Sequence, residues 1–131
     1  MSYLTEAEAV QKDSLSLALA GDGVWTLYVR ERLILKHDYK SGILSRKAVD
    51  YVNAGAQCKM LYAIEDKLTE TEADVCRRAR NAHSPARTKT ANLDEYKKAT
   101  ALEALLGFLY LTGQTERLAE IQEICFNSVQ K

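Results

Sequence analysis

Asp22 and Glu103 are carboxylates that stand alone in apolar, helix-patterned segments, with no basic residue one turn away on either side. Asp22 falls on the stripe Leu15, Ala18, Asp22, Trp25, Val29, and Glu103 on the stripe Tyr96, Ala99, Glu103, Leu106, Tyr110. Alternating steps of three and four residues place each set on one helix face. One turn from Asp22 lie Ala18, Leu19, Trp25 and Thr26; one turn from Glu103 lie Ala99, Thr100, Leu106 and Gly107. None of these can pair a charge. A desolvated, unpaired carboxylate is costly, so it requires a partner, a proton or a cation. Two acids from well-separated helices that meet in one cleft make a site for a hard divalent cation, and Mg²⁺ fits that description. The competing reading pairs each acid with an Arg or Lys from elsewhere in the chain, or leaves it at a solvated helix end. That reading explains one such acid more easily than two in matched settings.

The glycines point the same way. Gly21 and Gly23 flank Asp22 inside a helical pattern, and Gly107 follows Glu103 by one turn. Each costs roughly 1 kcal/mol relative to Ala in a helix, a cost tolerated where a backbone or ligand approaches closely. Ala18, Ala20, Ala99 and Ala101 extend the clearing. The simplest account is a close crossing of two helices at their acids.

The elements that must position these residues follow from breaks in the pattern. Asp13 caps a long helix from about Ser14 to Lys36. The stretch from His37 to Gly42 interrupts it, and helical pattern resumes from about Leu44 to Lys67, with Asn53 placed to cap a second piece. Thr69-Glu70-Thr71-Glu72 is box-like and opens a helix reaching about Asn81. Residues 82–91 hold the only Pro and no apolar periodicity, which predicts an exposed basic loop. Asn92-Leu93-Asp94-Glu95 caps the Glu103 helix, which stops near Gly113, and a last amphipathic helix runs from about Thr115 to Val129. The fold class is all-α.

With 131 residues, 47% of them hydrophobic, the chain can bury one core, so a single domain over 1–131 is expected. No apolar run approaches 20 residues and no charged-then-apolar leader is present, which predicts neither a membrane span nor a signal peptide. Cys58, Cys76 and Cys125 are odd in number and lack metal-ligand spacing; they read as free thiols of a cytoplasmic protein. Net charge is zero, but its distribution is uneven. From Cys76 to Lys98 the bases Arg77, Arg78, Arg80, Arg87, Lys89, Lys97 and Lys98 face only Asp94 and Glu95. A local basic patch on a neutral protein suits a polyanion backbone, although a charge run is as often a solvated face. Beside a cation site the phosphate reading gains, because a cation and a phosphate-binding surface together serve phosphodiester hydrolysis.

Three stretches resemble one family. Leu19-Ala20-Gly21-Asp22-Gly23-Val24 followed by Leu27-Tyr28-Val29-Arg30 resembles the signature helix of the ribonuclease III catalytic domain. Ala101-Leu102-Glu103-Ala104-Leu105-Leu106-Gly107-Phe108-Leu109-Tyr110-Leu111 is similar to its second, metal-binding helix. Cys76-Arg77-Arg78-Ala79-Arg80-Asn81-Ala82, and the few residues after Leu111, match the smaller Mini-III branch. The resemblance spans about Leu15 to Ile121. The chain departs from ribonuclease III proper at Ala18 and Thr100, where that family carries additional acids; Mini-III proteins similarly carry fewer acids, so these gaps fit that branch.

The resemblance implies an all-α ribonuclease III-type endonuclease domain without a double-stranded RNA-binding domain. It further implies a Mg²⁺-dependent endoribonuclease, acting as a homodimer on double-stranded RNA and not on DNA, in maturation of the large-subunit (23S) ribosomal RNA precursor. Asp22 and Glu103 would be the catalytic and metal residues. Arg77, Arg78, Arg80, Asn81, Arg87 and Lys89, with Lys59 and Lys97, would contact RNA. His37 and His83 are lone and read as surface residues. Two rivals belong to other classes. A non-catalytic RNA- or ribosome-binding module of the same fold predicts binding without cleavage, and retention of both acids argues against it. An all-α nucleotide pyrophosphohydrolase predicts several acids clustered on one helix; Glu70 and Glu72 lack that spacing, and the Glu103 helix offers no second acid at it.

Overall fold

The computed structural model of the protein describes residues 2–82 and 92–129. The predicted loop centred on His83, Pro85, Arg87 and Lys89 therefore lies outside the described residues. Within them all regular structure is helical: α1 (Glu6–Val10), α2 (Ser14–Lys36), α3 (Ser41–Val52), α4 (Ala54–Ile64), α5 (Glu70–Arg80), α6 (Leu93–Leu111) and α7 (Thr115–Ser128), with a 3-10 turn at Glu65–Lys67 between α4 and α5.

The helix ends are set by local chemistry that the sequence displays. The Asp13 carboxylate accepts from the Ser16 N–H at 3.0 Å and starts α2. Asn53 joins two helices: its Nδ2 donates to the Val49 carbonyl at 2.9 Å and its Oδ1 accepts from the Ala56 N–H at 2.8 Å. One side chain thus satisfies an orphan carbonyl of α3 and an orphan donor of α4. Thr69 and Glu72 form a reciprocal capping box at 3.1 and 2.9 Å. The Asn92 side chain accepts from the N–H groups of Asp94 and Glu95, opening α6. Gly113, at φ +70°, takes the left-handed conformation that ends α6 and that residues with a Cβ avoid. α3 begins at Ser41, earlier than the predicted Leu44. α1 is an element the sequence reading did not place, although Thr5 and Glu8 form a second capping box. At five residues it is held by tertiary contacts, among them the Leu4 N–H donating to the Leu111 carbonyl at 2.9 Å.

α6 is the axis of the structure. α2, α4, α5 and α7 all pack against it, and from Ala99 to Leu109 every residue but Glu103 is buried. Such a helix reads as apolar all round because it faces neighbours on every side. α2 contributes Trp25, Val29 and Leu33 to the core. The Trp25 indole donates to the Tyr51 carbonyl at 2.7 Å, and the Tyr51 ring stacks on Phe126 at 4.3 Å, tying α2, α3 and α7 together. α7 is also held by a buried ion pair absent from the sequence reading. Arg117 grips both oxygens of Glu72, at 2.7 and 2.9 Å, and donates to the Lys67 carbonyl at 2.7 Å. Glu72 is 3% exposed, so removing Arg117 would strand a buried charge at a cost of roughly 3–5 kcal/mol. No helix among the described residues is long and apolar enough to cross a membrane. The three cysteines are free and buried.

Candidate active site

The close helix crossing predicted from the glycines is present, and it is tight. A Cβ on Gly21 would sit 1.6 Å from the Glu103 carbonyl oxygen, and one on Gly107 would sit 2.0 Å from the Leu17 carbonyl oxygen. Both obstacles are backbone, which cannot rotate away, so α2 and α6 meet main chain to main chain at these two glycines. The crossing sets Asp22, next to Gly21, against Glu103, one turn before Gly107. Their carboxyl groups come within hydrogen-bonding reach. Gly23 does not share this role: nothing lies within 4 Å of a Cβ built there, so the expected close approach at that glycine is absent.

The two acids differ in setting. Asp22 is exposed, whereas Glu103 is partly buried. The expectation that both are desolvated therefore holds for Glu103 alone; Asp22 is exposed although its stripe neighbours Ala18 and Trp25, one turn to either side, are buried. Burial, followed by the hydrogen bond with Asp22 and its negative charge, pushes the Glu103 carboxyl up to about 8. Two carboxylates in contact resist ionising together, so near neutrality the pair holds a proton in the absence of other charge. A smaller opposing pull comes from the Gln57 amide on α4. No ion pair among the described residues includes Asp22 or Glu103.

Among the described residues no group of three or more His, Cys, Asp or Glu is arranged to hold a metal. The donor set at the crossing is two carboxyls, which suits a hard cation that keeps much of its coordination shell as water. The positions where ribonuclease III proper carries additional acids do not contribute. Ala18 is buried, and the buried Thr100 hydroxyl donates back to the Tyr96 carbonyl at 2.9 Å.

The candidate RNA contacts are distributed over several surfaces. Arg77, Arg78 and Arg80 are exposed on the last turns of α5, where positive charge also complements the helix dipole. Arg77 forms an ion pair with Asp74, the only one of the three in an ion pair among the described residues. Arg77 and Arg80 line a cleft of about 250 Å³ with Leu61, Glu65, Cys76 and Ala101. Ala101 and Glu103 are two residues apart, about 200° around α6, so this cleft opens on the opposite side of that helix from the acid pair. The arginines and the acids are thus separate features. Asn81 is exposed at the end of α5, its N–H bonded to the Arg77 carbonyl at 3.1 Å. Lys59 is exposed on α4 in a second cleft with Asp50, Asn53 and Glu95. Lys97 is half-buried on α6. Arg87 and Lys89 lie outside the described residues. His37 is exposed and stacks on Tyr39 at 4.5 Å, away from the acids.

Gln57 is the site residue that sequence reasoning missed. A signal existed: Gln57, Met60, Leu61 and Ile64 share one face of α4, and a glutamine on an otherwise apolar face asks for a reason.

The chain has known relatives in both sequence and fold. A ribonuclease III domain profile matches residues 15–114. A Fusobacterium nucleatum protein of known crystal structure superposes with a TM-score of 0.78 at 32% identity, over 88% of this chain and 92% of that one. Two curated proteins called Mini-ribonuclease 3 are similar along most of their length. That of Thermoanaerobacter sp. (strain X514) is 36% identical over 100% of this chain and 96% of its own. That of Symbiobacterium thermophilum is 41% identical over 89% of this chain and 90% of its own. The chain belongs to the ribonuclease III family of endoribonucleases, in its Mini-ribonuclease 3 branch.

Proposed function

We propose that this protein is a Mg²⁺-dependent endoribonuclease that cleaves double-stranded RNA, working as a homodimer in the cytoplasm on large-subunit (23S) ribosomal RNA precursor. The observation that carries the reading is the contact of the Asp22 and Glu103 carboxyls where α2 and α6 cross at Gly21 and Gly107. In this reading Asp22 and Glu103 hold the cation. When bound, Mg²⁺ supplies a Lewis acid for the scissile phosphate and lowers the pKa of water at the site. The chain's own part is to bring two carboxyls together on rigid backbone and to release the proton held by Glu103. Cation binding and that release are coupled, as for any site whose ligands must be deprotonated.

RNA is held by charge outside the acid site. Arg77 and Arg80 on one cleft, with Arg78 beside them, give sequence-independent phosphate contacts, and shape selection of the A-form duplex excludes DNA. The homodimer reading is supported by an apolar surface on α2 itself. Leu19 and Leu27 are 76% and 65% exposed, and Gly23, Val24, Leu27 and Tyr110 line a shallow, open groove. Gly23, with open space above it, sits in the middle of this face. A two-fold copy docked there would relate two Asp22–Glu103 sites by the symmetry that relates the two strands of a duplex. The buried free thiols suit a reducing compartment.

End-mapping of products from a long RNA duplex tests the reading. Staggered cuts with short 3′ overhangs and 5′-phosphates are expected, because water attacks phosphorus and the 3′ oxygen leaves. Products with 2′,3′-cyclic phosphates would overturn it, since they require attack by the RNA's own 2′-hydroxyl. Binding without any cleavage would favour the non-catalytic module instead.

A further inference from the structure

Gln57 is 3% exposed, and its Nε2 is fully buried; it lies near enough to the Glu103 carboxyl to pull on it, but no well-formed hydrogen bond to any described residue satisfies it. Buried donors are rarely left unsatisfied, and one that persists calls for an explanation. Its neighbour across the α4–α6 interface is the Glu103 carboxyl. Glu103 therefore stands between two side chains of opposite character: an exposed acceptor, Asp22, on α2 and a buried donor, Gln57, on α4. The crossing fixes the Glu103 main chain against Gly21, which leaves the orientation of the carboxyl plane to these two neighbours.

We propose that Gln57 is a positioning residue for Glu103, its amide donating to one carboxylate oxygen so that the other is held toward Asp22 when a divalent cation occupies the pair. This rests on the reading of Asp22 and Glu103 as cation ligands. Gln57 Nε2 carries hydrogens and offers no lone pair, so through that atom Gln57 acts on Glu103 and not on the cation. Partners that hydrogen-bond a ligating carboxylate fix its orientation, and their loss commonly weakens metal affinity 10–100-fold. A buried donor beside the Glu103 carboxyl, unsatisfied by any described residue, then has a use.

The test uses Gln57→Met, which keeps length and removes the donor, with Gln57→Leu as a second apolar replacement should the first not fold. Mn²⁺ serves as the probe, its free fraction read by electron paramagnetic resonance during titration of the intact protein, with Glu103→Gln as control. The thermal midpoint of Gln57→Met is expected to stay level or rise, since an unsatisfied buried amide has been removed. Mn²⁺ affinity is expected to fall ~10-fold or more, and kcat to fall with KM for duplex RNA unchanged. A purely structural role would lower the midpoint and leave Mn²⁺ affinity and the kcat–KM split alone. Wild-type Mn²⁺ affinity and kcat in both apolar variants would overturn the positioning role and leave the cation site standing. Wild-type Mn²⁺ affinity in Glu103→Gln would overturn the cation site itself, and the role of Gln57 with it.

Discussion

Replacing Glu103 with Gln should make the cation-free protein more stable at pH 8 and remove much of its dependence on pH. The Glu103 carboxyl is held at about 8 in the folded chain against an ordinary value of 4.5. A group whose folded pKa is raised keeps its proton longer when folded than when unfolded. Its stabilising contribution is fully present below about pH 4.5 and is lost as pH rises through 8. Across that window wild-type stability should fall with pH, by at most ~1.4 kcal/mol per unit from this group. The full shift would correspond to ~5 kcal/mol. Glu103 is only partly buried and its partner Asp22 is exposed, so solvent screening leaves roughly 1–2 kcal/mol. For a chain of this size that is roughly 3–8 °C in the thermal midpoint. The assay is thermal unfolding in chelator from pH 5 to 8.5. Glu103→Gln should match wild type near pH 5 and exceed it near pH 8, and Mg²⁺ should raise the midpoint of wild type alone. A variant that melts below wild type at pH 8, or keeps the wild-type slope, would refute the argument.

The arginines should separate by their pairing. Arg80→Ala should lower the slope of log affinity for duplex RNA against log salt by ~1, whatever the RNA sequence, and Arg77→Ala by less because Asp74 already shares its charge; lost helicity with an unchanged slope would make these residues structural. Gly107→Ala should destabilise by roughly 1–3 kcal/mol or more and abolish cleavage, because its Cβ would collide with the Leu17 carbonyl and part the acids; wild-type melting would contradict the crossing. Leu27→Lys should leave circular dichroism intact and give a monomer by light scattering, since Leu27 is 65% exposed on the apolar face of α2; an unchanged dimer would place the interface elsewhere.

The features legible in the sequence share a physical character: they are written in residues close together along the chain. Caps at Asp13, Asn53, Thr69 and Asn92 reach two or three residues forward, and the structure realises each. Gly21 and Gly107 were readable because a helical glycine is a local anomaly, and α2 and α6 resolve it by touching. Gly23 shows the limit of that argument, since the same anomaly next door faces open space. Features that depend on distant contacts were not legible. The Glu72–Arg117 pair joins residues 45 apart in sequence. Periodicity places Asp22 on an apolar stripe whose members Ala18 and Trp25 are buried, yet whether each position on a stripe is covered depends on the neighbouring helices, and Asp22 is left exposed. α1 was missed because five residues cannot hold a helix alone. Gln57 was readable as an oddity on an apolar face, yet its relation to Glu103 exists only once α4 packs on α6.

The most direct measurement is cleavage of a long RNA duplex by wild type, Asp22→Asn and Glu103→Gln, each with and without Mg²⁺, with folding checked by circular dichroism. The account predicts cleavage by wild type only with Mg²⁺, and none by either folded variant under any condition. Near wild-type cleavage by either variant, or full cleavage in chelator, would contradict it.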